Sequence, residues 1–272
     1  MIPFTKAHAC GNDFLIVTEE AAQGQDWAEL TRRLCARNTG IGADGIEFFA
    51  WTGARSGRVR LHNADGSVAE ISGNGTRCVA AWMAESVGAG VGDRLEIMTD
   101  AGLRVSRVNS IDRKNGYAVQ MNSGMGLPTL ATRTVTLADG TQIAGAEISM
   151  GNPQFVSFVD NAAFSVAGQA WQEIGRQICF HGDFPQQTNV EFVRVVSVSE
   201  IEIRIFERGV GPTSSSGSGS SASAVAAIGL RGCASPLKVV APGGAQIVEW
   251  AGEGAELQLT GPASLIAQGE AW

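Results

Sequence analysis

The pattern of hydrophobic and polar positions predicts many short strands and a few helices. Apolar residues at Trp27, Leu30 and Leu34 have helical spacing, so a helix is predicted over 27–36. Two more helices are predicted over about 74–86 and about 219–230. Runs of β-branched or aromatic residues between turn residues predict strands at 14–17, 46–50, 59–63, 94–98, 104–108, 117–121, 146–150, 154–159, 190–198, 201–206, 238–240, 246–250 and 256–260.

The two halves of this pattern resemble each other. In the first half a strand ends in Asn63-Ala64-Asp65-Gly66, and a helix then begins at Ser72-Gly73-Asn74-Gly75. In the second half a strand ends in Phe206-Glu207-Arg208-Gly209, and a helix begins at Ser216-Gly217-Ser218-Gly219. A duplicated unit is the simplest interpretation. It predicts two lobes with a ligand cleft between them and a boundary near Gly116–Val119.

A Ser-Gly-x-Gly turn at a helix start has the chemistry of an anion site. The first amides of a helix lack backbone partners, glycine lets a ligand approach them closely, and the helix dipole adds positive charge. Such a site suits a carboxylate or a phosphate. The alternative is that Ser72 and Ser216 only cap their helices, a position that serine favours. Because the turn occurs twice, we favour two anion-binding turns.

Polar residues at predicted strand ends extend this hypothesis. Asn12, Asn63, Asn152 and Asn189 lie at such ends, and Glu207-Arg208 follows another. Each alone is more often a turn residue than a ligand contact. Together they suit a zwitterionic amino acid, since arginine binds carboxylate in a fork while carboxylate and amide oxygens accept from an ammonium group.

Composition and charge exclude several classes of function. The chain has 272 residues, enough for two domains, and a formal net charge of −7 without a basic cluster, so we expect no nucleic-acid partner. No apolar run approaches the roughly 20 residues that span a bilayer, and the N-terminus lacks a signal-peptide pattern, so we expect a cytoplasmic protein. Five widely spaced cysteines, no CxxC motif and three histidines support neither disulfides nor a metal site.

Seven ordered motifs carry a resemblance to a known family. They lie at 8–14 (HACGNDF), 42–45 (GADG), 63–67 (NADGS), 72–78 (SGNGTRC), 151–153 (GNP), 206–209 (FERG) and 216–219 (SGSG). With them the chain resembles the diaminopimelate epimerases over nearly its whole length. The resemblance implies an α+β fold of two pseudo-symmetric lobes, each a mixed sheet wrapped round a central helix. It places the lobes at 1–117, completed by 262–272, and at 118–261, and it implies a homodimer.

The resemblance also implies a reaction. Family members convert LL- to meso-diaminopimelate for lysine and cell-wall synthesis, by cofactor-free, two-base inversion at the α-carbon of the amino acid. Carried over by position, the residues that bind the substrate are Asn12, Asn63, Asn152, Asn189, Glu207 and Arg208. The backbone amides around Gly73-Asn74 and Gly217-Ser218 would hold the α-carboxylate.

The chain departs from the family pattern at its most important positions. Ser72 and Ser216 stand where the family has two cysteines, one thiolate to remove the α-proton and one thiol to deliver another. A serine hydroxyl is far less acidic and needs a separate base. Gln154 replaces a typical histidine, the segment 211–213 reads Gly-Pro-Thr instead of Gly-Glu-Thr, and Gly45 replaces a polar contact.

Three hypotheses remain open on sequence grounds. The chain is an epimerase whose thiols were exchanged for serine and that holds substrate without turnover, an isomerase or dehydratase that uses a carboxylate base, or an amino-acid binding protein without catalysis. The candidate bases are Glu207, Asp13 and Asp65, of which the two aspartates are more typical of turn stabilisation. Cys10 is the cysteine that lies closest to a predicted ligand residue.

Overall fold

The computed structural model describes residues 1–113 and 117–272, those at 117–123 by their backbone alone. These residues form two compact units. Unit 1 comprises Met1–Gly124 and Thr260–Trp272, and unit 2 comprises Met125–Leu259. The boundary predicted near Gly116–Val119 includes Gly116, which lies outside the described residues. The lobe limits inferred from the sequence stay a prediction.

Unit 1 is built from strands with two helices between them. Its strands are β1 (Ile2–Ala9), β2 (Asn12–Thr18), β3 (Gly45–Gly53), β4 (Ser56–Asn63), β5 (Val68–Ala69), β6 (Arg94–Thr99), β7 (Gly102–Asp112) and β8 (Tyr117–Gly126). Its helices are α1 (Trp27–Cys35) and α2 (Gly73–Ser86). The last strand of the chain, numbered β17 (Leu257–Ala271), pairs with β1 in antiparallel orientation.

Unit 2 repeats this composition. Its strands are β9 (Thr129–Thr136), β10 (Gln142–Ser149), β11 (Pro153–Phe158), β12 (Asn189–Ser197), β13 (Glu200–Glu207), β14 (Gly211–Thr213), β15 (Leu237–Ala241) and β16 (Gly244–Glu249). Its helices are α3 (Trp171–Cys179) and α4 (Gly217–Arg231).

The strand pairing is the same in the two units. In unit 1, β1–β2, β3–β4, β4–β5 and β6–β7 are antiparallel, while β2–β3 and β4–β6 are parallel. In unit 2, β10–β11, β12–β13, β13–β14 and β15–β16 are antiparallel, while β11–β12 and β13–β15 are parallel. The helices also enter at the same points of the strand order. The predicted α+β fold of two pseudo-symmetric mixed-sheet domains is therefore confirmed, and with it the duplication.

The second helix of each unit forms part of its hydrophobic core. Cys78, Val79 and Ala80 of α2 are fully buried among residues of the surrounding strands, and so are Ala224 and Val225 of α4. A helix without a polar face must be covered on all sides. Small alanine side chains let the strands approach it closely, so each sheet wraps round its central helix.

The sequence pattern missed several elements. Helix α3 was not predicted, although Trp171, Ile174 and Ile178 have the same helical spacing as the residues that predicted α1. Strand β1 was missed because its buried positions include small residues such as Ala7 and Ala9. Strand β9 was missed because most of its side chains are exposed or only half-buried. The helices predicted over 74–86 and 219–230 begin slightly earlier, since their glycines lie in the first turn.

Candidate active site

Both serines of the repeated turn cap a central helix. Ser72 Oγ accepts a hydrogen bond from the Gly75 amide at 3.0 Å, and Ser216 Oγ accepts one from the Gly219 amide at 3.3 Å. Both serines are thus N-caps, and the anion-binding role of the two turns stays a prediction. A cap of this kind uses the third amide of the helix and leaves the first two, so capping and anion binding do not compete for the same donors.

In unit 1 a chain of side-chain amides leads away from the start of α2. Asn74 Nδ2 donates to Asn12 Oδ1 at 3.2 Å, and Asn12 Nδ2 donates to Asp44 Oδ2. The buried Arg77 donates to Asn74 Oδ1 from the other side. The structure therefore brings together two of the predicted binding residues, Asn12 and Asn74.

The other predicted polar residues of unit 1 lie in ordinary structural roles. Asn63 is exposed and donates to Ser67 Oγ at 3.1 Å. Asp65 accepts from the amide and the hydroxyl of Ser67 at 2.8 and 2.6 Å, and these hydrogen bonds hold its pKa below the ordinary value. A carboxylate held this way is a weak base. Asp65 therefore stabilises a turn, as its position suggested.

Asp13 is similarly unsuited to proton abstraction. Burial raises its pKa, but the hydrogen bonds and charges of Arg37 and Lys6 outweigh burial and leave the pKa lowered. Arg37 lies at 2.9 Å from one carboxylate oxygen and Lys6 at 3.0 Å from the other. The carboxylate is ionised and tightly paired, which disfavours it as a base.

In unit 2 the polar chain begins at the cap itself. Ser216 Oγ lies 3.4 Å from Ser218 Oγ, and Gln154 Nε2 donates both to Ser218 Oγ at 3.3 Å and to Asn152 Oδ1 at 2.7 Å. Gln154 is fully buried and donates two of the hydrogen bonds in this network. The predicted residues Ser216, Ser218 and Asn152 are thus brought together through Gln154.

The remaining predicted residues of unit 2 meet at the end of β13. Asn189 is buried, and its Oδ1 accepts from the Arg208 amide at 2.9 Å. The Arg208 side chain donates to the Gln186 carbonyl at 3.0 Å and is largely exposed, so part of its guanidinium fork stays available. Glu207 lies beside it, half-buried.

The strand registers show which residue of unit 2 is equivalent to Gly45, the position where this chain has a glycine in place of a polar residue. Gly45 lies opposite Phe14 in the pair β2–β3, and Asn189 lies opposite Gln154 in the equivalent pair β11–β12. The two residues therefore occupy the same place in the duplicated units. A β-carbon at Gly45 would lie 2.6 Å from the carbonyl oxygen of His62, so no side chain fits there without a backbone shift.

Two buried carboxyls were missed by the sequence analysis. Glu47 and Glu191 lie two residues beyond Gly45 and Asn189, so they too are equivalent in the two units. Their exposed fractions are 1% and 0%. The signal was present, because Ile46-Glu47-Phe48 and Val190-Glu191-Phe192 each place an acid inside an otherwise apolar strand.

Both carboxyls press against the first turn of a central helix. Glu47 Oε1 lies 1.8 Å from the point that a β-carbon would occupy at Gly75. Glu191 Oε1 lies 2.9 Å from the same point at Gly219. A side chain at the last glycine of either Ser-Gly-x-Gly turn would therefore require the neighbouring carboxyl group to shift.

Three oxygens of these carboxyls have no hydrogen-bond partner among the residues that the structure describes. They are Glu47 Oε1 and both carboxyl oxygens of Glu191. Burial raises the pKa of Glu47 to about 8. Burial, followed by the negative charge of Glu207, raises the pKa of Glu191 well above its ordinary value. An unpaired carboxylate is costly to bury, so the protonated form is favoured near neutral pH.

The buried cysteines offer no substitute for a reactive thiol. Cys78 lies in the core of α2, and burial raises the pKa of its thiol far above the ordinary range. Cys10, in the turn between β1 and β2, is 4% exposed. Within the described residues, no group of three or more His, Cys, Asp or Glu side chains could hold a metal ion.

Comparisons with known proteins identify the family. A family model described as diaminopimelate epimerase matches residues 4–128 and 147–266. The diaminopimelate epimerase of Desulforudis audaxviator is 35% identical over 98% of both chains, and diaminopimelate epimerase 1 of a Nostoc species is 36% identical over 99% of both. The chain belongs to the diaminopimelate epimerase family. Membership supports an amino-acid epimerase-like function and suggests a small-molecule amino-acid substrate.

Solved structures support the same fold for this member of the diaminopimelate epimerase family. A predicted epimerase from Pseudomonas aeruginosa has a TM-score of 0.72 at 13% identity, over 100% of this chain and 99% of that one. A phenazine biosynthesis protein from Bacillus anthracis has a TM-score of 0.70 at 15% identity, with the same coverage. In the part of the chain that is described, no helix is long and apolar enough to cross a membrane.

The first prediction concerns pH and Glu47. Its pKa rises from an ordinary value near 4.5 to about 8 on folding. The folded state then binds more protons than the unfolded state between these values, so the free energy of unfolding falls as pH rises through this window. Glu47→Gln removes the titration. Between about pH 5 and about pH 8, the free energy of unfolding of the variant should therefore rise by about 3 kcal/mol relative to that of wild type, as measured by urea unfolding. Glu96→Gln, at an exposed strand position, is the control; parallel wild-type and Glu47→Gln curves would contradict the prediction.

The second prediction concerns the contact between Glu47 and Gly75. Gly75→Ala places a methyl group where Glu47 Oε1 lies, so it should destabilise the protein by about 1–3 kcal/mol. In a Glu47→Ala background the same change should cost much less, because the space is then open. Gly90→Ala is the control, since its β-carbon would meet only Asp93 Oδ2 at 4.0 Å. Equal costs of Gly75→Ala in both backgrounds would show that the carboxyl is not the obstacle.

Proposed function

We propose that this chain is a cofactor-independent isomerase that moves a proton at the α-carbon of an amino acid. Ser72 and Ser216 occupy the two positions at which the proton leaves and enters. The observation that carries the proposal is the serine-capped N-terminus of a buried helix, present once in each unit of a diaminopimelate epimerase family member. The substrate that the family suggests is LL-diaminopimelate, converted to the meso form.

Each unit carries groups that complement the charged groups of an amino acid. The amides of Gly73-Asn74 and Gly217-Ser218 lie at helix starts, where an α-carboxylate and the negative charge that develops on it during proton removal are stabilised. Asn12, Asn63, Asn152 and Asn189 supply amide groups, and Glu207 with Arg208 supplies a charged pair for the ammonium and carboxylate of an amino acid.

The chemistry at the serines separates this proposal from its alternatives. A hydroxyl is a poor proton acceptor unless a base takes its own proton. The buried carboxyls Glu47 and Glu191 favour the alternative in which an isomerase or dehydratase of this fold uses carboxylates in place of thiols. An amino-acid binding protein without turnover is the other alternative.

The third prediction tests the reaction. In D2O with LL-diaminopimelate, wild type should exchange the α-proton, at a rate about 100-fold below that of the Ser72→Cys/Ser216→Cys variant, because a thiol at a helix start is far more acidic than a hydroxyl. NMR loss of the α-proton signal measures both rates. Wild-type exchange as fast as that of the variant would show that the serines do not limit the reaction. Ligand-dependent thermal stabilisation without exchange in wild type would support the binding protein.

The fourth prediction tests substrate binding apart from turnover. Arg208→Ala removes the guanidinium that we assign to a substrate carboxylate. The apparent affinity for LL-diaminopimelate should therefore fall by at least about tenfold. Thermal unfolding at a series of ligand concentrations gives this affinity. Arg107→Ala, at an exposed position of β7, is the matched control. Equal affinities in the two variants would remove Arg208 from the site.

A further inference from the structure

Each capping serine has a buried carboxyl for a neighbour. At Gly219 the position of a β-carbon lies 2.9 Å from Glu191 Oε1 and 3.4 Å from Ser216 Oγ. At Gly75 the equivalent position lies 1.8 Å from Glu47 Oε1 and 3.2 Å from Ser72 Cβ. In both units, therefore, serine and glutamate converge on the same side of the last glycine in the turn.

The hydrogen bonds that each serine makes leave it able to donate. As N-caps, Ser72 Oγ and Ser216 Oγ accept from an amide, and an oxygen that accepts keeps its own proton for another partner. The carboxyl oxygens beside them accept no hydrogen bond from any residue that the structure describes. In each unit an unused acceptor thus lies on the same side of the turn as the capping serine, and the two groups are not hydrogen-bonded to each other in this structure.

We propose that Glu47 and Glu191 hold the proton that Ser72 and Ser216 exchange with the substrate. This inference rests on the proposed function. The glutamates act through the serines, and no contact of theirs with the substrate is needed. The duplication supplies one such pair in each unit.

The proton balance of the step is complete within the protein. As the α-carbon–hydrogen bond breaks, its proton passes to one serine oxygen, while the hydroxyl proton of that serine passes to its glutamate. The electron pair stays on the substrate, spread into the carboxylate at the helix amides. The other serine then gives its hydroxyl proton to the α-carbon and regains one from its own glutamic acid. One glutamate gains a proton and the other loses one, without any oxidant or reductant.

The surroundings of the two carboxyls suit this exchange. Glu47 has Ile16 of β2 and Leu61 of β4 as strand neighbours, and Cys78 of α2 is the titratable group that interacts with it. Glu191 has Val156 of β11 and Ile205 of β13 beside it, and Glu207 is the charged group that acts on it. Because burial raises the pKa of both glutamates, each can hold a proton near neutral pH, and the pKa of about 8 at Glu47 leaves an ionised fraction able to accept one.

The fifth prediction tests the relay with Glu47→Gln and Glu191→Gln. Each change should slow α-proton exchange from LL-diaminopimelate in D2O by at least about tenfold and flatten its pH dependence, because the amide cannot take a proton. Ligand-dependent thermal stabilisation should persist in both variants. Glu96→Gln is the control for charge removal at an exposed position. Wild-type rates and pH profiles in both glutamine variants would overturn the inference while leaving the proposed function intact.

A second background separates the relay from a structural role. In the Ser72→Cys/Ser216→Cys variant, a thiolate can take the proton itself. The factor by which each Glu→Gln change slows α-proton exchange should therefore be at least about tenfold smaller than in the serine background. Equal losses in the serine and thiol backgrounds would overturn the relay and assign the glutamates to structure. Glu47→Asp and Glu191→Asp, which keep an acid, should retain more exchange than the glutamine variants. Absence of exchange in wild type would overturn both the proposed function and the relay.

Discussion

A helix that is covered by strands on all sides can present polar groups only at its ends. Helices α2 and α4 are in this situation, with their alanine-rich middles fully buried in the two cores. Their N-termini therefore carry the unsatisfied amides and the positive end of the dipole, while the rest of each helix serves packing. The serine caps, the glycine turns and the buried carboxyls all lie at these ends.

Much of this arrangement could be predicted from the sequence, because it depends on local chemistry. Ser72 and Ser216 are recognisable as helix starts from the residues that follow them, and the structure has them as N-caps. The duplication was visible in the same turns. Strand β1 escaped prediction because its buried positions include small side chains such as Ala7, and only tertiary packing decides what they form. Helix α3 was overlooked although Trp171 and Ile174 begin the same helical spacing that predicted α1.

The candidate bases show why a site is harder to predict than a fold. By sequence, Asp13 and Asp65 are acids in polar turns, which suggests accessibility, yet Arg37 and Ser67 hold them in ionised, hydrogen-bonded states. Glu47 and Glu191 each lie between apolar residues in a strand, a signal that was present in the sequence, yet only the structure shows that both carboxyls are buried without hydrogen-bond partners at Glu47 Oε1 and at both oxygens of Glu191. The basicity of a carboxylate depends on its burial and on its hydrogen-bond and charge partners. Both are set by residues that lie far apart in the sequence, so neither can be read from the neighbouring residues alone.

The two units, although they share a topology, provide different surroundings for equivalent groups. The chain from α2 runs through Asn74 to Arg77, whereas the chain from α4 runs through Ser218 to Gln154. Glu207 lies near Glu191 and raises its pKa, while burial alone acts on Glu47. A reaction that inverts a carbon needs one group to take a proton while its counterpart gives one, so two identical environments would not define which group starts in which state. The duplicated halves keep the same strand register, while the charges and hydrogen-bond partners around equivalent groups differ, so each half can be tuned by side chains without any change in the backbone that positions them.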